Sequence, residues 1–120
     1  MKNNLTLTIP NQSAKIVAQA LELYTRLNLG QLHELHNLFC DRDYNIEDLE
    51  YALIQAKIIL FPELQANESY GIYNEKVKDD VKVAYDIYKE IKHKLFDNED
   101  SIHFSKPLQA SNIKIKVEVE

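Results

Sequence analysis

Glycine is nearly absent: the chain has two, Gly30 and Gly71. Phosphate-binding loops of the Walker or dinucleotide type gather several glycines within a few residues, so both are excluded. Cysteine occurs once, at Cys40, which excludes an intrachain disulfide and agrees with a reducing compartment. Arginine occurs twice, at Arg26 and Arg42, in a chain of net charge −5. A duplex-DNA binder carries a basic balance with arginines gathered on one face, so duplex DNA is not an expected partner. No apolar run approaches the roughly 18 residues of a membrane span. The opening MKNNLTLTIP alternates and lacks the apolar stretch and cleavage site of a secretory signal. The expectation is a cytoplasmic protein without a membrane partner. No G-x-S-x-G elbow or Cys–His signature is present. Ser13, Ser69, Ser101, Ser105 and Ser111 have no base at a readable spacing. Glu47, Asp48 and Glu50 open a helix, where carboxylates favour the helix dipole before they suggest catalysis. No catalytic residue and no cofactor are expected.

What is present is an ordinary globular composition. With 120 residues, 45% hydrophobic and 28% charged, the chain fits one domain, 1–120, able to bury a core. Residues 4–9 alternate strictly, with Leu5, Leu7 and Ile9 on one side and Thr6 and Thr8 on the other, which predicts a half-buried strand ended by Pro10. A first helix follows from about Gln12 to Leu29, with stripes Ile16, Ala20, Leu23, Leu27 and Val17, Leu21, Tyr24; Asn11 or Ser13 can cap it, and Gly30 suits its C-terminus. A short helix from Gln31 to about Cys40 comes next. A third helix, capped by Asn45 with Asp48 three residues on, turns Leu49, Ala52, Leu53, Ala56 and Ile59 inward and stops at Phe61-Pro62.

Residues 74–96 form the most telling stretch. Val77, Val81, Ala84, Tyr88, Ile91 and Leu95 recur at helical spacing and predict a core face. Ile102 and Phe104 suggest a short strand, and Ile113, Ile115, Val117 and Val119 alternate with charges in a closing strand. The predicted fold class is therefore α+β: about four helices packed with a small two- to three-stranded sheet formed by the chain termini. So few strands make a marginal sheet, and an exposed terminal strand is a template for pairing with another copy. A homo-oligomer is expected.

Three constellations bear on chemistry. Lys78, Lys82, Tyr85, Lys89 and Lys92 fall within roughly 80° of one another on the fourth helix. Ammonium groups around a tyrosine suit a phosphorylated ligand whose base stacks on the ring. The competing reading is a solvated face, because Glu75–Lys78, Asp79–Lys82, Lys82–Asp86 and Asp86–Lys89 stand at ion-pair spacing. The loop SYGIY, residues 69–73, is unusually aromatic. Tyr70 and Tyr73 suit a planar ligand or a protein anchor; alternatively Tyr70 and Ile72 fold back on the core. His33, His36 and Cys40 align on one side of the second helix and are weak candidates for a metal.

Two segments, ALELYTRLNLGQLHEL (20–35) and SYGIYNEKVKDDVKVAYDIYKEIKHKL (69–95), resemble a family of short, uncharacterised proteins encoded by bacteriophages and prophages. The matching positions are Tyr24, Arg26, Gly30 and Gln31, then Ser69, Tyr70, Gly71, Lys82, Tyr85 and Tyr88. The resemblance implies no catalytic residues. It implies an accessory factor that binds and neutralises a host component, in the host cytoplasm. For a small anionic, nucleotide-like ligand the expected contacts are Tyr70, Tyr73, Lys82, Tyr85, Lys89 and Arg26. For a host protein, the SYGIY loop is the expected anchor. A small metal-dependent enzyme using His33, His36 and Cys40, or a virion structural or assembly component, are the alternatives.

Overall fold

Helices form where the apolar spacing and the end signals agree. The computed structural model describes residues 3–97 and 109–119, without the side chains of Phe96 and Asp97. It contains α1 (Asn11–Asn28), α2 (Glu34–Leu38), α3 (Ile46–Leu60) and α4 (Asp79–Asp97). Pro10 takes the N-cap position of α1 with no side-chain cap, and the Ala14 amide donates to its carbonyl. At the other end Gly30 has φ +96°; its amide donates to Leu27 and that of Gln31 to Arg26. This is a Schellman closure, which needs a left-handed residue at that position. Asn45 caps α3 by accepting the Asp48 amide at 3.0 Å. Asn74 accepts the Lys76 amide within a turn, and α4 begins only at Asp79.

The core lies between α1 and α4, which account for nearly all the packing of helix on helix. Val77, Val81, Ala84, Tyr88, Ile91 and Leu95 are all buried, as their spacing predicts. On α1 the packed line keeps Val17 and Leu21 of the second predicted stripe and departs from the first. It runs through Ala14, Val17, Ala18, Leu21 and Thr25, while Ile16 is 66% exposed and Tyr24 45%. Small residues on this line let the two backbones approach, and the Thr25 hydroxyl is satisfied inside its own helix by the Leu21 carbonyl at 2.8 Å. A second cluster of Leu29, Val77 and Val81 is covered by Tyr70 and Ile72.

The α+β expectation is overturned. Among the described residues the chain is all-helical, without strand or sheet. Residues 4–9 form no strand, and Leu5 is 94% and Leu7 67% exposed. Residues 114–119 form no strand either. Val117 packs on the Ala18 cluster. Alternation reports two unlike faces; it does not report a hydrogen-bonding neighbour, and here the alternating face meets helix side chains. The predicted strand at Ile102 and Phe104 lies outside the described residues.

What holds residues 109–113 is Asp86. Its side chain is 3% exposed and accepts from the Ala110 amide at 2.7 Å, the Ser111 amide at 2.9 Å and the Ser111 hydroxyl. The spacing of Asp86 to Lys82 and Lys89 suggests a solvated ion pair, but the carboxylate is spent on these three donors. A charge at this depth persists only with such partners.

Replacing Asp86 with Ala is expected to cost about 1–3 kcal/mol in denaturant unfolding, since it strands buried donors, and to speed proteolysis within 109–119. Gly30→Ala is expected to lower stability by about 1–2 kcal/mol for the left-handed backbone alone, with more from the added Cβ, which would stand 2.9 Å from Leu64 Cδ1. A melt matching the wild type would contradict either assignment.

Candidate functional site

Helical periodicity brings Tyr85, Tyr88, Lys89 and Lys92 to one side of α4, and α1 supplies Glu22 and Arg26 beside them. The Tyr85 and Tyr88 rings meet at 5.4 Å between centroids and 53° between planes. The Lys89 ammonium stands 5.6 Å from the first ring centroid and 5.5 Å from the second. Lys92 stands 5.7 Å from the Tyr88 ring and 3.0 Å from Glu22. Tyr73, at the loop before the helix, is 57% exposed and close enough to Tyr85 to help burial raise its phenol. Tyr85, Lys89 and Lys92 thus lie over the buried ring of Tyr88, with Tyr73 near Tyr85.

The cations differ in availability. Arg26 is held by Glu34 at 2.8 Å and Glu22 at 3.4 Å, so much of its charge is already matched. The Glu34 hydrogen bond raises the guanidinium against the opposing effect of burial. Burial alone would raise the Glu34 carboxyl, but hydrogen bonds from Arg26 and Asn37 carry it below its ordinary value. Lys92 shares the Glu22 carboxylate. Neither Lys89 nor Lys82 has a carboxylate partner among the described residues.

Lys82 lines an adjoining cleft of about 270 Å³ with Asp79, Val83, Ala110, Ser111, Asn112 and Ile113. The cleft exists because Asp86 draws the 110–111 backbone onto α4. It is small beside typical ligand pockets of roughly 300–1,000 Å³, a size suited to a phosphate or another compact group. Asp79 at its rim opposes an anion, and Lys82 favours one.

Tyr70 stands apart from this surface. Its amide donates to the Leu29 carbonyl at 2.9 Å, its ring lies against Phe61 at 6.4 Å, and its hydroxyl donates to Glu63. That hydrogen bond lowers the Glu63 carboxyl and raises the Tyr70 phenol. The inward alternative therefore describes Tyr70 and Ile72, which close the Leu29–Val77–Val81 cluster, whereas Tyr73 remains outward. Residues 20–35 and 69–95 meet here: Gly30 closes α1, and Gln31 Nε2 donates to Ser69 Oγ at 3.5 Å.

The candidate metal residues do not converge. His36 Nδ1 is engaged by the Tyr44 hydroxyl, His33 lies 3.8 Å from Glu34, and Cys40 is exposed. Among the described residues no three His, Cys, Asp or Glu side chains gather around one point, and no helix is long and apolar enough to cross a membrane. Beside His36 and Tyr44 lies a wider, open hollow of about 490 Å³ lined by Phe39, Arg42, Tyr44, Asn45, Asp48 and Leu49. All six lie within residues 39–49, the stretch that leads from α2 into α3.

The environment of Tyr88 makes one measurable statement. Burial first, then Glu22 and Tyr85, push its phenol up from 10.0 to about 12, with Arg26 opposing. The folded chain thus keeps a proton that the unfolded chain gives up. This contribution to stability is whole below about pH 10 and is lost as pH rises through 12. Wild-type melting temperature is expected to fall more steeply over that window than that of Tyr88→Phe; parallel curves would contradict it.

Comparison with protein-family models, with curated proteins and with solved structures finds no match to this chain.

Proposed function

We propose that the chain is a non-catalytic accessory binding protein of bacteriophage type, which neutralises a host component by sequestering a small anionic, nucleotide-like ligand in the host cytoplasm. The observation that supports this reading best is Lys89, which has no carboxylate partner among the described residues and stands over the half-buried Tyr85 ring and the buried Tyr88 ring. A lysine over an aromatic face is held by the ring quadrupole. It can swing to a phosphate and leave the ring for a planar base, which stacks there at about 1–3 kcal/mol per base. Lys82 and the Ser111 cleft would take a second phosphate or a ribose. Arg26, matched by two carboxylates, would order Glu22 and Glu34 more than it would contact the ligand.

A second reading, capture of a host protein, draws on Tyr73. It is an exposed aromatic on a loop already anchored by Tyr70 and Ile72, and tyrosine is favoured at protein interfaces. The two readings respond differently to charge reversal.

Native mass spectrometry of protein purified from cells, before and after denaturation, is expected to release a small phosphorylated molecule. Titration with that molecule is expected to weaken about tenfold to a hundredfold in Lys89→Glu, the worth of a charge-assisted contact of roughly 1.5–3 kcal/mol, and to fail in Lys82→Glu. If both variants bind as wild type, the ligand does not use this face. If instead they slow association with a host protein in a salt-dependent way, the protein-capture reading takes its place.

A further inference from the structure

The least explained part of the molecule is α3. Its inner side holds the half-buried Leu49, Leu53 and Ala56, but Ala52 and Ile59, predicted to face inward, are exposed, Ile59 by 77%. The inner place is taken by Lys57. That residue is 9% exposed, and its ammonium donates to the Ala66 carbonyl at 3.0 Å and to the Glu68 carbonyl. Satisfying the 61–70 loop in this way removes the one charge that the run from Tyr51 to Leu60 contains. The outer surface of that run is therefore uncharged and largely apolar: Tyr51 67%, Ile54 46%, Ile58 57%, Ile59 77% and Leu60 62% exposed. Among the described residues no other helix packs on it to any extent.

The area is also out of proportion. The accessible surface is 9469 Å², whereas a folded monomer of this mass is expected near 6,700 Å², about 2,800 Å² less. The radius of gyration, 16.6 Å, exceeds the roughly 13.6 Å of a compact chain of this length. The run from Tyr51 to Leu60 contributes five exposed large apolar side chains to this excess. A standard stable interface takes about 800 Å² from each partner, which the excess exceeds several times.

From these observations we infer that α3 is a subunit interface, and that its occupant is the α3 of a second copy, laid antiparallel across a two-fold axis. Tyr51, Ile54 and Ile58 stand at i, i+3 and i+7, one seam of the helix. Antiparallel pairing about a point beside Ile54 sets Tyr51 of each copy against Ile58 of the other, so the seam is complementary to itself, as a two-fold contact requires. Depletion of charge over three turns is the mark of permanent interfaces between like subunits, whereas surfaces that wait in water for another protein keep more polar character. The pairing replaces the terminal strands as the route to a homo-oligomer. It lies on a different helix from the tyrosine–lysine face, so it stands whether or not that face binds a nucleotide.

Sedimentation velocity of the full chain tests it. The wild type is expected at twice 14.0 kDa or a higher even multiple. The double substitution Ile54→Glu with Ile58→Glu is expected to halve that mass while leaving the helical circular dichroism unchanged, because both side chains face outward in the single chain. Lys89→Glu is expected to leave the mass as it was. A wild type that sediments as a monomer throughout the micromolar range overturns the inference, as does a double variant that keeps the wild-type mass. So does a stoichiometric foreign protein that holds a monomeric wild type and is lost from the variant. Should the double variant lose its helical signal, disulfide trapping decides. In a Cys40→Ser background, Ile54→Cys is expected to form a covalent dimer on mild oxidation and Gln19→Cys, exposed on α1, to remain a monomer. Equal trapping at both positions overturns the pairing.

Discussion

The close approach of α1 to α4 is the constraint from which the rest of the molecule follows. It is made possible by Ala14, Ala18 and Thr25, which are small enough for the α4 side chains Tyr88, Ile91 and Leu95 to lie flat against α1. Once the helices are this close, Glu22 and Arg26 on one edge of α1 have no choice but to stand beside Tyr88 and Lys92. The charge network and the aromatic surface are thus by-products of the packing geometry. The same approach sets the Schellman turn at Gly30 where the 69–73 loop can bond to Leu29, and so determines which tyrosines of that loop are buried and which is presented.

How much of this was legible depended on what each residue reports. The α4 core face was readable in full, because six large apolar side chains at helical spacing admit one burial direction. The α1 face was not, since Ile16 and Leu23 advertise burial more loudly than Ala18 and Thr25, yet a tight crossing selects for lack of bulk. The termini misled for a related reason: Leu5, Leu7, Ile113 and Ile115 carry the period of a strand, but pairing depends on a neighbour that no local pattern contains. Lysine at position 57 was invisible as a buried group, because its partners are loop carbonyls whose approach is a tertiary fact.

The candidate site divides along the same line. Tyr85, Lys82 and Lys89 could be placed on one face from angle alone, and Tyr73 comes close to Tyr85 from the preceding loop. Tyr70 could not be assigned to core or surface from its neighbours in the chain, and Arg26 carried no sign that Glu34 would claim it. Asp86 was the largest omission. Its ion-pair spacing to two lysines is genuine, but the helix turns the carboxylate toward residues that follow it by some two dozen positions.

That last contact ties the far end of the described chain to the helix pair. Residues 109–119 supply the donors that satisfy Asp86 and the valine, Val117, that packs on the Ala18 cluster. A chain lacking them would keep the α1–α4 contact but leave a bare carboxylate on α4 and an open apolar seam beside Ala18. The segment is in this sense a strap across the two helices, fastened at one point by polar bonds and at another by packing.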